Sequence, residues 1–195
     1  MTRGTDPPAY ARGSRVTLRA WTHADVDALR PWLEPHHEWH RWDGPYYPRP
    51  TSEQADATCA AIRSTIGRVD DDPEPPRRAV IDIGDGLAGI VTWYWESEVS
   101  GWRRLGIVLY DPVTWGQGYG AEAFELWVDH IFDVTDDVRL DFATWSGNAG
   151  MMGIGRRLGM VEEGRFRQAR VVDGHRYDSV VMGVLREEWD SRWPV

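Results

Sequence analysis

The stretch LGIVLYDPVTWGQGYGAEA, residues 105–123, leads from a β-rich run through three alternate glycines into a helix with one apolar face. The helix is predicted from about Gly118 to Asp133, where apolar residues recur at helical spacing. Glycines lack a Cβ atom and let phosphate oxygens reach the backbone, and the unpaired N–H groups of a helix's first turn attract anions. The stretch therefore predicts a turn that binds phosphate, and a pyrophosphate is the expected ligand.

Two other interpretations of the glycine turn stay open at this point. The spacing Gly116-x-Gly118-x-x-Ala121 also satisfies the fingerprint of a dinucleotide-binding βαβ unit. Such a turn should follow its strand almost directly in a parallel unit, whereas residues 111–114 intervene here after a predicted antiparallel run. A purely structural glycine turn is the second alternative, because glycine is common in turns of every kind.

Outside this stretch the chain alternates between strand and helix patterns. Thr22 and Thr51 are predicted helix N-caps, and Gln54 completes a capping box with Thr51. The predicted order is strand 15–19, a helix after Thr22, a helix from Thr51 through Ile66, strands 79–83, 87–95 and 102–110, the helix after the glycine turn, strand 138–144, helix 148–158, and strands 161–172 and 177–185. This order indicates a mixed α/β three-layer sandwich with a mostly antiparallel central sheet, not a doubly wound parallel sheet.

The length of 195 residues, of which 42% are hydrophobic, fits one domain with a sizeable core. Residues 1–13 hold Gly, Pro and charges without periodicity, and they are predicted to form a flexible tail. Residues 14–190 are predicted to form a single domain. The acidic, proline-rich segment Asp70–Pro76 is interpreted as a surface loop, because too little chain lies on either side of it for two cores.

The composition argues against several classes of function. The formal net charge of -9 disfavours general nucleic-acid binding, which needs clustered Lys and Arg, although an acidic surface can steer a cationic partner. No apolar run approaches the roughly 18–20 residues of a membrane span, and the N-terminus lacks the apolar stretch of a signal peptide. A cytoplasmic protein without a membrane partner is therefore expected. The single cysteine, Cys59, is expected to pack as a small hydrophobe.

The stretch 105–123 resembles the acetyl-CoA motif of the GNAT acetyltransferases, whose pattern is Arg/Gln-x-x-Gly-x-Gly/Ala. Trp115 stands at the Arg/Gln position, which is similar to the branch that contains the ribosomal-protein N-terminal acetyltransferases RimJ and RimL. Other segments also resemble that branch: Asn148, residues 157–164, residues 173–178 and residues 185–189. The similarity covers roughly residues 14–190, with a loose match over residues 32–80. It implies a GNAT-like three-layer sandwich in which parallel strands splay apart.

The resemblance also implies where acetyl-CoA binds as a cosubstrate. Backbone groups of Val108, Leu109 and Tyr110 would hydrogen-bond the pantetheine arm. The residues of the glycine turn would hold the pyrophosphate, namely Gln117, Gly118, Tyr119, Gly120 and Ala121. Asn148 would lie near the cofactor arm, with a plain helix N-cap as the alternative.

The chemistry requires few protein groups, because a thioester is already activated and mainly needs an amine placed against a polarised carbonyl. Many GNATs use a tyrosine as general acid seven residues after the motif asparagine, and the RimL-like branch has a serine three residues after it. These places hold Gly155 and Met151. The role of general acid, which protonates the leaving thiolate, then passes to water or to another hydroxyl such as that of Tyr110 or Ser146. Five carboxylates are candidates for the general base that deprotonates the amine, and their spacing in the sequence favours none of them: Asp43, Glu96, Glu98, Asp141 and Glu163. Glu163 is taken as the candidate.

The run His36-His37-Glu38-Trp39-His40 raises a metal hypothesis, because His36 and His40 would share one face of a helix. It lacks the His-Glu-x-x-His spacing, and the preceding Pro35 indicates a loop. A substrate-facing aromatic loop is the alternative. No metal is predicted.

The sequence therefore predicts an N-acetyltransferase in which a primary amine attacks acetyl-CoA directly in a ternary complex. The acceptor is expected to be a peptide N-terminus or a small-molecule amine, and the chain a monomer or homodimer. An antibiotic or polyamine acetyltransferase, and a non-catalytic acyl-CoA-binding module, stay open as alternatives.

Overall fold

An eight-stranded sheet forms the centre of the molecule, with the strand order β1-β2-β3-β4-β5-β6-β8-β7. The computed structural model describes residues 7–67 and 74–192. Its elements are β1 Ala9–Arg12, β2 Thr17–Arg19, α1 His23–Trp32, α2 Ser52–Arg63, β3 Arg78–Asp82, β4 Leu87–Ser97, β5 Trp102–Leu109, α3 Tyr119–Val134, β6 Arg139–Trp145, α4 Ala149–Arg157, β7 Val161–Val172, β8 His175–Leu185 and α5 Arg186–Asp190, with single 3₁₀ turns at Glu38–Arg41 and Pro112–Thr114.

The sheet is antiparallel except where β5 meets β6. These two strands pair in parallel only over Trp102–Arg104 and Arg139–Asp141. Beyond Arg104 the strands separate, while β5 stays paired with β4 as far as Leu109. The predicted mixed α/β sandwich with splayed parallel strands is confirmed.

Helices cover both faces of the sheet, because the strands alternate apolar residues between the two sides. Ala79 and Ile81 of β3 belong to the main core with Trp127 of α3. Val80, between them, belongs to a second core with Leu29 of α1 and residues of α2. Cys59 lies buried in this second core as a free cysteine, which agrees with the small-hydrophobe interpretation.

Both predicted N-caps are present, and each is part of a capping box, although the sequence predicted the box only at Thr51. The hydroxyl of Thr22 accepts from the Asp25 amide at 3.2 Å, and the Asp25 carboxylate accepts from the Thr22 amide at 2.8 Å. Thr51 and Gln54 make the equivalent pair at 3.3 and 2.9 Å. The second helix ends at Arg63, so its predicted extension through Ile66 is wrong.

The N-terminal segment differs from the prediction. Residues 9–12 are not a loose tail but strand β1, which pairs antiparallel with β2. Tyr10 and Ala11 pack against the main core, and this tertiary contact holds a strand that the local sequence did not indicate. Residues 1–6 lie outside the described residues. Of the predicted loop 70–76, residues 70–73 also lie outside them.

Within the described ranges, no helix is both long and apolar enough to cross a membrane.

Candidate functional site

A cavity of about 1110 Å³ opens where β5 and β6 separate. Its walls come from the outer half of β5, the glycine turn, the end of β6, the start of α4 and the segment 39–50. The separation of β5 and β6 beyond Arg104, called the splay below, thus creates a single space that joins the glycine turn to the loop before α2. Val108, Leu109, Gly118, Gly120, Ala121 and Asn148, among the predicted cofactor residues, line it.

The glycine turn has the backbone that its sequence predicts. Gly116 and Gly118 have φ values of 70° and 90°, a left-handed conformation that favours glycine. Gly118 is also the N-cap of the 16-residue helix α3, and no side chain caps the helix there. The first-turn N–H groups of α3 are therefore left without a side-chain acceptor, beside a cavity wall.

The end of β5 is held by Trp115, the residue at which the motif departs from the usual pattern. Its indole Nε1 donates to the carbonyl of Leu109 at 3.0 Å. The amide of Tyr110 donates to the carbonyl of Ala88 at 3.1 Å and so faces β4. Along a strand, the backbone N–H and C=O groups of successive residues point to opposite neighbouring strands. The backbone groups of Val108 therefore also point to β4, while those of Ile107 and Leu109 point to the splay. Of the three predicted residues, only Leu109 turns its backbone groups toward the splay, together with Ile107, which the sequence analysis did not include.

Gln117 and Tyr119 support the turn from outside the cavity. The Gln117 side chain folds back to donate to the Val113 carbonyl at 2.5 Å. The main-chain carbonyl of Gln117 accepts from Nη1 of Arg15 at 2.9 Å. The Arg15 guanidinium lies 4.7 Å from the centre of the Tyr119 ring. The two side chains thus brace the turn, and the predicted contact of these residues with a pyrophosphate rests on their backbone amides.

Glu122 ties the same turn to the N-terminal strands. Burial opposes its ionisation, but the amides of Arg15 and Val16 and the hydroxyl of Ser14 hold the pKa of the Glu122 carboxyl below its usual value. An ionised Glu122 therefore fixes the residues before β2 against the first turn of α3.

Asn148 uses both ends of its side-chain amide. Its Oδ1 accepts from the Met151 amide at 3.0 Å, which caps α4. Its Nδ2 donates to the carbonyl of Trp42 at 3.1 Å. The N-cap alternative is confirmed, and the second bond joins α4 to the loop that carries Trp42.

The family comparison agrees with this geometry. Residues 15–161 match the family model described as the Acetyltransferase (GNAT) domain. The chain belongs to the GNAT acetyltransferase family.

Solved GNAT structures share the fold. A GNAT-family acetyltransferase from Bacillus anthracis superposes with a TM-score of 0.71 at 16% identity, covering 91% of this chain and 99% of the other. The spermidine N-acetyltransferase from Vibrio cholerae, solved with CoA and spermine, has a TM-score of 0.73 at 18% identity and the same two coverages, 91% and 99%. A GCN5-related N-acetyltransferase from Brucella melitensis has a TM-score of 0.67 at 20% identity, covering 97% and 86%.

The three predicted catalytic side chains of this GNAT domain do not line the cavity in the described structure. Tyr110 is 2% exposed and packs between Trp32 and Trp39, and burial raises the pKa of its phenol. The Ser146 hydroxyl accepts from the Asp178 amide at 3.0 Å. Glu163 pairs with Arg139. The structure therefore places Tyr110, Ser146 and Glu163 outside the cavity lining, because sequence spacing does not report which face of an element a side chain occupies.

The absence of a tyrosine at Gly155 has a packing explanation. A Cβ atom at Gly155 would lie 2.8 Å from Cζ of Phe142 and 2.9 Å from Sδ of Met182. Helix α4 rests directly on the sheet at this point, so a large side chain cannot be placed there. Met151, by contrast, lines the cavity.

The histidine run forms a 3₁₀ turn and its flanking loop. His40 is buried, and its Nε2 lies 3.1 Å from the Glu34 carbonyl, while the Nε2 of His37 lies 2.9 Å from the Pro31 carbonyl. Burial lowers the pKa of His40. No group of three or more possible metal ligands occurs within residues 7–67 and 74–192.

Asp43 is one of the residues that line the cavity, next to Trp42 in the chain. The other four carboxylates considered from sequence lie elsewhere; Asp141, for example, is fully buried and accepts two hydrogen bonds from Arg104 at 2.7 and 2.9 Å. The Asp43 side chain is open to the cavity, yet the surrounding protein desolvates it and raises the pKa of its carboxyl. Perturbed carboxylates in clefts are a common mark of functional sites.

Proposed function

We propose that this GNAT domain transfers the acetyl group of acetyl-CoA to a primary amine by direct attack in a ternary complex. One observation carries the proposal: a single cavity joins the glycine turn, the unpaired edge of β5 and an aromatic end that contains Asp43. A long cosubstrate can thus enter from one end of the cavity and an acceptor from the other.

The residues present fit acetyl-CoA. The turn from Gly118 to Ala121 offers uncapped amides at the positive end of a helix, which suits the pyrophosphate. The amides of Ile107 and Leu109 face the splay, which suits the amide-bearing pantetheine arm. Because pantetheine would extend β5 like an added strand, this arm would place the thioester beside the end of β6.

The chain's residues act mainly by placing the two substrates. The amine nitrogen attacks the thioester carbon, the new N–C bond forms, and the C–S bond breaks with its electron pair going to sulfur. The amine gives up a proton and the thiolate gains one. Since Gly155 and Met151 supply no proton donor, we assign the rate enhancement largely to positioning and backbone polarisation, which can contribute several kcal/mol.

The acceptor class and the subfamily are part of the proposal. Trp115 and Asn148 support a RimJ/RimL-like branch, whose acceptors are peptide α-amines. The likeness to a spermidine N-acetyltransferase keeps polyamines as the alternative acceptor. Both acceptors are primary amines, so the reaction class does not depend on the choice.

Incubation of the full chain with acetyl-CoA and a panel of amines tests the proposal, with free thiol and acetylated product measured together. We expect acetyl-CoA binding in the micromolar range, about -7 to -9 kcal/mol, and turnover of at least one amine. Binding without turnover of any amine would favour a non-catalytic acyl-CoA-binding module instead.

A further inference from the structure

Two charged side chains of opposite sign, Asp43 and Arg170, line the cavity without an ion pair to any described residue. Asp43 accepts no hydrogen bond and forms no ion pair with any described residue, and Arg170 likewise has no carboxylate within 4.0 Å in the described chain. Both line the cavity, and the Tyr46 phenol interacts electrostatically with each of them. Such groups are costly to leave unpaired, so each is a candidate for a ligand of opposite charge.

Asp43 is held firmly at the junction of β6 and α4. The carbonyl of the preceding Trp42 accepts from the Trp145 indole at 3.3 Å and from Asn148 at 3.1 Å. The amide of Asp43 donates to the Trp39 carbonyl at 3.3 Å. The backbone is therefore fixed beside the end of β6, where the proposed thioester lies, while the carboxylate stays free.

Arg170 is held by an aromatic ring rather than by an acid. Its guanidinium lies 4.3 Å from the centre of the Tyr46 ring, and its Nε is buried without an acceptor. On β7 it pairs with Tyr177 just after an irregular stretch of the ladder, Phe166–Arg170, which breaks the strand's regular alternation. Stacking on Tyr46 leaves the guanidinium edge available for an anion.

The remaining charges of the cavity disfavour a polycation. Asp43 is the one carboxylate among its described lining residues, which also include Arg49, Arg104 and Arg157. Only Arg104 is neutralised, by Asp141 and by Glu96 at 2.7 Å. A polyamine needs several carboxylates, whereas one ammonium and one anionic group would match what the cavity offers.

We propose, on the basis of the acetyl transfer above, that the acceptor is a small zwitterionic amine whose ammonium binds Asp43 and whose anionic group binds Arg170. An α-amino acid is the simplest such molecule. The aromatic walls formed by Trp39, Trp42 and Tyr94 favour one with an apolar side chain.

Matched acceptors test this inference: phenylalanine carries both charges, phenylalaninamide and phenethylamine lack the anion, and spermidine is a polycation. We expect kcat/KM for phenylalanine to exceed that for the amide at least about tenfold, the effect of one charge-assisted hydrogen bond. Arg170→Gln should bring this ratio of kcat/KM values close to one by lowering kcat/KM for phenylalanine. Arg170→Lys should restore part of the ratio. Asp43→Asn should lower kcat/KM for all four amines.

Circular dichroism melts of each variant check folding, and the ratio between acceptors is internal to each variant. Efficient turnover of phenethylamine or spermidine over phenylalanine, or an unchanged ratio in Arg170→Gln, would overturn the inference while leaving acetyl transfer intact. Turnover of none of the four amines, nor of any amine in the wider panel, would remove the proposed function and this inference with it.

Discussion

The Nδ2 of Asn148 donates to the main-chain carbonyl of Trp42 at 3.1 Å, across 106 residues of sequence. The same side chain caps α4 through its Oδ1. One amide thus connects the helix at the splay with the loop that presents Asp43. The two ends of the cavity are set relative to each other by this side chain and by the Trp145 indole, which reaches the same carbonyl.

The substitution Asn148→Ala removes both the cap of α4 and the hydrogen bond to the Trp42 carbonyl. The missing N-cap should cost about 0.5–2 kcal/mol of stability, and the released loop should raise KM for the acceptor more than KM for acetyl-CoA. Asn148→Asp is the matched control, because it keeps the capping oxygen and removes the donor to Trp42. Thermal melts and steady-state kinetics should show a stable Asp variant with impaired acceptor binding; wild-type KM in both variants would contradict the role of this bond.

Gly120 tests the pyrophosphate assignment. A Cβ atom there would meet Cδ1 of Ile154 at 3.4 Å and Cδ1 of Leu109 at 3.6 Å, which are ordinary contacts. Gly120→Ala should therefore fold and gain up to about 1 kcal/mol of helix stability. Gly120→Glu should abolish acetyl-CoA binding in a calorimetric titration, since it adds bulk and negative charge, while its far-UV spectrum stays unchanged. Retained binding in the Glu variant would disprove the placement.

Trp115→Phe isolates the indole hydrogen bond to Leu109. We expect a loss of about 1 kcal/mol in the free energy of unfolding and weaker acetyl-CoA binding, because the end of β5 is released. Trp189→Phe is the control: it removes an indole bond to Asp129 of 2.7 Å outside the cavity. If the two variants bind acetyl-CoA equally well, the Trp115 bond has no part in shaping the site.

Tyr110→Phe, Ser146→Ala and Glu163→Gln should each lower turnover by less than about 100-fold, the low end for general acid–base groups. Their side chains lie outside the cavity lining, so only indirect effects are expected. Single-turnover kinetics with saturating acetyl-CoA provides the measurement. A loss near 10⁴-fold in any one of them, with cofactor binding intact, would identify a concentrated acid or base.

Asp43 should make stability depend on pH in an unusual direction for a carboxylate. Desolvation by the protein around the cavity raises the pKa of its carboxyl, so the folded state holds the proton more tightly than the unfolded chain, and this stabilisation is lost as pH rises through the folded-state pKa. The phenols of Tyr46 and Tyr110, which interact with it, stay neutral over this range because their pKa values are also raised.

Asp43→Asn should therefore match or exceed the wild-type melting temperature at pH 7, with the difference shrinking as pH falls below the carboxyl's pKa. Melts of both proteins from pH 4 to 8 measure it. A variant that is less stable at pH 7 would mean that the carboxylate has a stabilising partner in the fold.

Features decided by neighbouring residues could be predicted. The caps at Thr22 and Thr51 involve residues three positions apart, and the left-handed turn at Gly116 and Gly118 needs only glycine's freedom. The helix after the turn was predicted to within a residue of its ends because its apolar stripe is intrinsic to the sequence. Local chemistry and periodicity were sufficient for these elements, whereas the family followed from the resemblance of residues 105–123 to the GNAT motif.

The sequence by itself determined the order of the elements from β2 to β8, the position of the glycine turn and membership of the GNAT family. Tertiary structure alone decided that Ala9–Arg12 is a strand, that Gly155 is closed to a tyrosine by Phe142 and Met182, and that Asp43 and Arg170 face one cavity. The physical reason is the same in each case. These outcomes depend on which side chains meet across the sheet and the splay. Residues that meet there lie far apart in the chain, so no regular spacing in the sequence indicates their contact.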